Sequence, residues 1–358
     1  MTPTFELVVC ITSSALFDCS ESREVWKQHG IEAYKEHQRT RVTIPLKPGV
    51  GFPLVRSLLA LNEVAGKGLV EVVLVSRKDS ESAERVRRSI KHYNLRITRM
   101  SFTDGTDVTR YLPAWGCDLF LSADEDQVSA VLSGTISEEF AGIAAGLVYN
   151  IAADATVVPL NSPSVLDHLI NSNTSECSRE ATMTALSRVS ASPVPSYWPE
   201  GQVRIVFDGD GVLFSDEAEC VFKTKGLDAF YEFERENGQI ALPKGPMQAF
   251  ALKLMKVRTE LGTDNRWRIR TFLVTARNDV GNVRVFNTLK EWGLDIDETH
   301  FLGGLDKTPF VRFINPAIYF DDSIEHIDRA KQVVPVAHVV YGINNITTPL
   351  QIVTTKSD

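Results

Sequence analysis

The chain has 358 residues, of which 43% are hydrophobic and 23% are charged, with a net charge of −8 and a pI near 5.5. This composition is ordinary for a folded globular protein, and the length suits two domains or one large α/β unit. The acidic balance argues against nucleic acid as a partner, because that affinity comes largely from Lys and Arg neutralising phosphates.

The cysteines and the apolar segments indicate the cellular compartment of the protein. The five cysteines are scattered, odd in number and without a C-x-x-C pair, which predicts a reducing cytoplasm. The apolar run within residues 5–17 has no basic segment before it, so we predict a first strand there and not a signal peptide. No apolar stretch approaches the roughly 20 residues that span a bilayer, so we expect no membrane partner.

Strands and helices alternate along the first part of the chain. Apolar and amphipathic runs predict strands at 7–11, 70–76 and 119–122, and helices at 21–39, around 61 and at 82–93. Such alternation indicates βαβ units and a parallel sheet.

A segment rich in Ala, Ser, Asn and Pro follows at 133–199. Its final residues, Ser-Pro-Val-Pro-Ser-Tyr-Trp-Pro, deny the backbone both helical and ladder hydrogen bonds. We interpret 151–199 as a linker, and we predict helices at 137–147 and 164–170.

The same order of elements returns after residue 200, and some residues themselves repeat. Residues 25–34 match 221–230 at an offset of 196, and residues 90–97 match 289–296 at an offset of 199. Two copies of one α/β unit are the simplest interpretation.

A pair of carboxylates follows the first predicted strand of the second copy. Asp208 and Asp210 come directly after the buried run 204–207, at the strand end where open α/β sheets place their ligands. Asp208 would attack phosphorus and help to hold Mg²⁺, and Asp210 would exchange a proton with the leaving group and with water. The alternative is a hairpin turn, since Asp-Gly is a common turn signal.

Three more polar positions follow later predicted strands. Thr275 ends one strand, Lys307 lies after another, and Asp321 with Asp322 ends a third. Each alone is commonplace as a strand-end hydroxyl, a surface lysine or a helix cap. Because the carboxyl ends of parallel strands share one edge, we expect them to meet, with Mg²⁺ held by Asp208, Asp321 and the Asp210 backbone carbonyl.

The first copy carries none of these charges. When 15–17 are aligned with 212–214, Ile11 lies opposite Asp208 and Ser13 opposite Asp210. At the later offset of 199, Val108, Ser122 and Ala123 lie opposite Lys307, Asp321 and Asp322. We therefore expect residues 1–150 to form a catalytically empty copy that serves packing, homo-oligomer formation or regulation.

These motifs resemble those of the haloacid-dehalogenase-like phosphohydrolases, and more closely those of the cytosolic 5′-nucleotidase I family, which favours AMP. The resemblance lies in 207–217 (FDGDGVLFSDE), 273–277 (LVTAR) and 320–322 (FDD), with 13–17 and 121–124 in the first half. It implies an α/β fold of two Rossmann-like, haloacid-dehalogenase-type parallel-sheet units. The second unit, 200–358, would be catalytic, with an inserted cap at about 215–270.

The resemblance also implies roles for individual residues. Asp208 would be the nucleophile that forms an aspartyl phosphate, Asp210 the acid/base, and Asp321 a metal ligand. The phosphate would be bound by Thr275, Lys307 and Arg277, with Asp322 in support. The family's Gly-Asp-Ala-Val is Gly-Asp-Gly-Val here, so Gly211 stands where the family has alanine.

The implied protein is a cytoplasmic, Mg²⁺-dependent phosphoric monoester hydrolase acting on nucleoside monophosphates, with a nucleotide such as ADP as effector. Two alternatives stay open at this point. One is a phosphatase of another small phosphate monoester, such as a sugar phosphate, and the other is a nucleotide-sensing binding module.

Overall fold

The computed structural model describes residues 5–134, 140, 142–149 and 198–345. The predicted helix at 164–170 lies outside these residues. So does the predicted linker, except for its last two residues.

Ten strands form one sheet in the described part of the chain. They are β1 (Leu7–Thr12), β2 (Val70–Ser76), β3 (Arg99–Phe102), β4 (Leu119–Ser122), β5 (Ala144–Val148), β6 (Val203–Phe207), β7 (Ile269–Thr275), β8 (Glu298–Phe301), β9 (Ile318–Asp321) and β10 (Val336–His338). Their order is β3-β2-β1-β4-β5-β10-β9-β6-β7-β8. Neighbouring strands are parallel, as predicted, except for the antiparallel pair β5 and β10.

Helices connect the strands. They are α1 (Ser13–Leu16), α2 (Ser20–Thr40), α3 (Phe52–Ala65), α4 (Ser80–His92), α5 (Leu112–Trp115), α6 (Glu125–Leu132), α7 (Glu217–Lys225), α8 (Leu227–Glu236), α9 (Gln248–Glu260), α10 (Asp279–Glu291), α11 (Thr308–Ile314) and α12 (Ile324–Ala330). Every helix within the described ranges is too short or too polar to cross a membrane.

Both faces of the sheet are buried. Along β1, Leu7, Val9 and Ile11 belong to one apolar cluster, whereas Val8 and Cys10 belong to another. This alternation follows from the two-residue period of a strand, and continuous apolar strands are typical of parallel sheets covered on both faces.

The two halves, β1–β5 and β6–β10, share one continuous sheet, whereas the sequence predicted two sheet units. Read outward from the centre, each half has its strands in the same relative order. Pairing β5 with β10 removes two edges that would otherwise expose unpaired backbone groups. Two helices also cross between the halves, since α3 contacts β6 and α9 contacts β1 and β5.

The predicted helix at 137–147 is wrong where the structure describes it, because 144–148 forms the fully buried strand β5. The Ala-Ala-Gly-Leu-Val sequence has little intrinsic preference for a strand, but β4 and β10 flank it and supply its ladder partners. A Cβ added at Gly146 would lie 2.9 Å from the Ala337 Cβ. Small residues are therefore needed where the two halves join.

Strand pairing also corrects the alignment of the two halves. Ile11 in β1 and Phe207 in β6 are paired with residues at the same positions of their two neighbouring strands. Ile11 and Phe207 therefore occupy equivalent positions in the two halves. Thr12, and not Ile11, therefore lies opposite Asp208. The pairs are Ile11 with Leu74 and Leu121, and Phe207 with Leu273 and Phe320.

The loop after β6 is one residue longer than the loop after β1. A hydrogen bond from a phenylalanine amide closes each loop. In the second half the Phe214 amide donates to the Gly209 carbonyl, five residues earlier. In the first half the Phe17 amide donates to the Ser13 carbonyl, four residues earlier. The longer loop contains Gly211, whose φ of +74° favours glycine. Counted from the strands, Ser14 lies opposite Asp210.

Candidate active site

The strand ends of the second half bring the predicted polar side chains to one edge of the sheet. Asp208 follows β6, Thr275 ends β7 and Asp321 ends β9, and β6 lies between β7 and β9. Lys307 directly precedes α11. All four residues are buried, with relative exposures of 7% or less.

Lys307 bridges the two carboxylates. Its Nζ lies 2.6 Å from Asp208 Oδ2 and 2.9 Å from Asp321 Oδ2. The Gly209 amide donates to Asp208 Oδ1 at 2.6 Å. Buried charges persist only when they are paired and hydrogen-bonded, and these contacts meet that condition.

Asp321 is held by three further groups. The Tyr319 hydroxyl donates to its Oδ2, and the Ser323 amide donates to its Oδ1 at 2.8 Å. His326 Nδ1 lies 3.2 Å from both carboxylate oxygens. The orientation of this carboxylate is therefore fixed by its surroundings.

The protonation equilibria of this group are strongly shifted. Burial raises the pKa of Asp208 to about 7, although Lys307 acts in the opposite direction. At Asp321 burial also acts to raise the pKa, but Lys307 and His326 outweigh it and hold the pKa below its usual range. At Lys307 burial acts to lower the pKa, and the two carboxylates raise it above its usual range. Asp208 and Asp321 thus share the Lys307 ammonium, and His326 lies beside Asp321 as a second group that can carry positive charge. Burial acts to lower the pKa of His326, but its hydrogen bond to Asp321 raises it above its usual value.

Asp210 faces a different cation. Arg277 donates from Nε and Nη2 to the two carboxylate oxygens of Asp210, at 2.7 Å each. Its Nη1 donates to the buried Glu234 at 2.5 Å, and Glu234 also accepts from Arg284 at 3.0 Å. Burial acts to lower the pKa of Arg277, but Asp210 and Glu234 raise it above its usual range.

Thr275 lies against the loop that carries the two aspartates. A Cβ added at Gly209 would lie 3.1 Å from Thr275 Oγ1, so glycine allows this approach. The hydroxyl oxygen accepts from the Arg277 amide at 3.2 Å.

Asp322 lies behind the same loop. Asn344 donates to its Oδ2 at 2.8 Å, and a Cβ added at Gly211 would lie 2.3 Å from that oxygen. Burial raises the pKa of Asp322 well above its usual value, with Asp321 and Asp208 adding to the shift. Asp322 therefore lies against the loop that carries Asp208 and Asp210.

One metal-ligand cluster is found among the described residues. Ligand atoms of Asp208, Asp321 and His326 all lie within 4.8 Å of one another. The Asp210 carboxylate is paired with Arg277 instead, which leaves its backbone carbonyl for the predicted role. Sequence reasoning missed His326 and Glu234, because neither lies in a local motif and both reach the site from helices, α12 and α8.

Sequence comparison places the chain in a known family. A sequence model of the family described as 5′-nucleotidase matches residues 2–159 and 170–346. Human cytosolic 5′-nucleotidase 1B (Homo sapiens) is 30% identical over 352 residues, which are 96% of this chain and 50% of that protein. The chain thus spans about half the length of this curated relative.

Similarity to solved structures is weak. Histidinol dehydrogenase from Elizabethkingia anophelis aligns with 81% of this chain and 49% of its own, at 9% identity and a TM-score of 0.20. A Pnkp1/Rnl/Hen1 complex aligns with 95% of this chain and 99% of its own, at 10% identity and a TM-score of 0.24. TM-scores this low do not indicate a shared fold.

Proposed function

Because the chain belongs to the 5′-nucleotidase family, we propose that it hydrolyses nucleoside 5′-monophosphates, AMP by preference, to a nucleoside and inorganic phosphate. The observation that carries this proposal is the contact of one buried lysine with two buried strand-end aspartates, at 2.6 Å and 2.9 Å. Phosphoryl transfer asks a protein mainly for positioning and electrostatic stabilisation, and this cluster is suited to both.

Asp208 is the proposed nucleophile. Its carboxylate oxygen attacks phosphorus, and an Asp208 O–P bond forms as the bond from phosphorus to the nucleoside 5′-oxygen breaks. Asp210 gives its proton to that leaving oxygen. Water then attacks phosphorus, Asp210 takes the water proton, and the aspartyl phosphate breaks down to phosphate and free Asp208.

The ion pair between Asp210 and Arg277 bears on the acid step. The guanidinium donates to both carboxylate oxygens, which are the atoms that a general acid must use. A substrate phosphate is a competing anion for the same guanidinium. We propose that Arg277 moves from Asp210 to the substrate phosphate, which frees Asp210 to carry its proton.

Thr275 and Lys307 would bind the same phosphate. Within the described part of the chain the Thr275 hydroxyl oxygen accepts from the Arg277 amide, and its hydrogen can be donated to a phosphate oxygen. Lys307 presents a point charge to the oxygens on which negative charge develops in the transition state.

The donor set fits Mg²⁺. Mg²⁺ prefers carboxylate and carbonyl oxygens, and the carboxylate oxygens of Asp208 and Asp321 lie within 4.8 Å of each other. Asp208 and Asp321 would hold it through their carboxylates and Asp210 through its backbone carbonyl. His326 would orient Asp321 through the hydrogen bond already present. Bound there, Mg²⁺ would supply positive charge against the phosphate.

We propose that the two halves are copies of one unit, with only the second catalytic. The shared strand order and the bend at equivalent glycines, Gly30 and Gly226, support this. The predicted cap at about 215–270 is best limited to α7 and α8, because α9 packs in the main apolar core. The cytosolic relative supports a place in the cytosol.

Phosphate release tests the function directly. We expect release from nucleoside monophosphates, fastest from AMP, in the presence of Mg²⁺, and loss of that release in excess EDTA. Ribose 5-phosphate and glucose 6-phosphate should be poor substrates. Activity that survives EDTA would refute the metal requirement, and a preference for a sugar phosphate would refute the nucleotidase assignment.

A further inference from the structure

A cavity of about 390 Å³ opens at the carboxyl ends of β1, β2 and β4. This is the edge of the first half that corresponds to the candidate active site in the second half. Its volume lies within the range of small-molecule sites. The side chains used below that line it are Thr12, Ser14, Trp26, Tyr34, Ser76 and Lys78.

The carboxylates of the second half are replaced here by uncharged groups. By the strand register and the offsets, Thr12, Ser14, Gln38 and Ser122 stand opposite Asp208, Asp210, Glu234 and Asp321. Where Asp321 contacts His326, Ser122 Oγ lies 3.0 Å from Gln127 Oε1, a neutral pair at the same positions. The positions that correspond to Asp208, Asp210 and Asp321 therefore offer hydroxyl groups here and no carboxylate ligand for a divalent cation.

One cation is kept. Lys78 stands opposite Arg277, and its Nζ donates to the Tyr34 hydroxyl. Arg277 is neutralised by two carboxylates, whereas the positions opposite those carboxylates hold Ser14 and Gln38, which carry no charge. The Lys78 ammonium thus faces the cavity without the acidic partners of its counterpart.

Two of the three acidic side chains that line the cavity are engaged in an ion pair or a helix cap. Asp124 pairs with Arg77, and Asp79 accepts from the Ser82 amide at 2.8 Å and caps α4. Asp104 also lines the cavity. The exposed Arg23 adds a second cation at the opening.

Hydroxyl donors surround the position of the phosphate-binding threonine. Ser76 stands opposite Thr275, and its oxygen accepts from the Lys78 amide at 3.3 Å, as Thr275 does from the Arg277 amide at 3.2 Å. Ser13 Oγ lies 2.9 Å from Ser76 Oγ. Hydroxyls and an ammonium are the groups that bind a phosphate without metal.

We propose that this cavity binds a small phosphate ester without a divalent cation and does not hydrolyse it. The phosphate contacts Lys78, Ser76 and Ser14, and the organic part lies against the aromatic faces of Trp26 and Tyr34. Hydrolysis is absent because no carboxylate stands at the position of the nucleophile. The proposal does not depend on the activity of the second half.

Titration calorimetry in excess EDTA tests this site, with AMP, adenosine and inorganic phosphate as separate probes. We expect AMP to bind with one site per chain, more tightly than either fragment. Ser14→Asp should weaken that binding at least about tenfold, because it places a carboxylate beside the phosphate. Ser14→Asn has the same shape without the charge and should bind AMP within about twofold of the wild type.

A change at Lys78 locates the ligand, because Lys78 lines the first-half cavity and lies outside the candidate active site. Lys78→Gln should weaken AMP binding in EDTA at least about tenfold if the ligand lies in the first half. No AMP binding in EDTA, equal effects of Ser14→Asp and Ser14→Asn, or wild-type affinity in Lys78→Gln would each overturn the proposal. Equal affinity for inorganic phosphate and AMP would overturn the proposed contact of the organic part with Trp26 and Tyr34. Melting temperatures would establish that both Ser14 variants are folded.

Discussion

The two halves of the sheet keep the same scaffold contacts and differ in the charges at their strand ends. A buried arginine on α4 or α10 donates to a loop carbonyl, and a hydroxyl one turn later accepts from a loop amide. The pairs are Arg85 with Ile44 and Arg284 with Ile240, at 2.9 Å each, and Ser89 with Leu46 and Thr288 with Leu242, at 2.9 Å and 2.8 Å.

At the strand ends the halves diverge. The second half gathers Asp208, Asp210 and Asp321 around two cations, whereas the first half has hydroxyls at those positions. The scaffold contacts are therefore maintained in a half that lacks the proposed catalytic groups. On our proposal, activity depends on a few side chains placed on a shared fold. The changes below alter those side chains, beginning with the largest expected effect.

Asp208→Asn removes the proposed nucleophile, and we expect turnover to fall by roughly 10⁴-fold or more. Radiolabelled phosphate should be trapped on wild-type protein by acid quenching and should not be trapped on the variant. Asp228→Asn makes the same chemical change at an exposed position on α8 and serves as the control, with turnover close to wild type. A wild-type rate in the Asp208 variant would contradict the role of Asp208 as nucleophile, and this position would then not distinguish the two halves.

Asp210→Asn removes the proposed acid and base, and we expect kcat to fall by about 10²–10⁴-fold. Because Asp210 does not have to bind the substrate directly, KM should change much less than kcat. Steady-state kinetics with AMP separate the two parameters. A rise in KM with kcat unchanged would contradict the acid/base role.

Glu234→Gln gives the second half the residue that the first half has at Gln38. The change takes a buried carboxylate away from Arg277 and Arg284, and we expect a loss of about 3–5 kcal/mol in the free energy of unfolding. The matched control is Gln38→Met, because the Gln38 amide nitrogen is buried without a partner in the described structure. That control should cost less than about 1 kcal/mol. Urea unfolding measures both, and equal losses would contradict the difference between the halves.

Gly211→Ala tests the longer loop of the second half. The alanine would keep a left-handed φ of +74°, and its Cβ would lie 2.3 Å from Asp322 Oδ2. We expect the free energy of unfolding to fall by about 1–3 kcal/mol. Gly105→Ala, also at positive φ but with open space around its Cβ, separates backbone strain from the clash. If both variants lose equal stability, the contact with Asp322 has no cost of its own.

The sequence by itself determined the alternation of strands and helices, the strands that carry the chemistry and the charged residues at their ends. Those features follow from local apolar runs and from the placement of polar residues directly after them. Family membership was likewise readable from contiguous motifs, and the family comparison agrees.

Tertiary structure alone decided how the halves join and which side chains reach the site from outside the motifs. The strand at 144–148 depends on its neighbours β4 and β10, since its own residues do not favour a strand. Glu234 and His326 lie on separate helices, so their contacts depend on how those helices pack. Thr12 corresponds to Asp208 because the hydrogen-bonded strand register, and not residue similarity, fixes which residues of the two halves are equivalent.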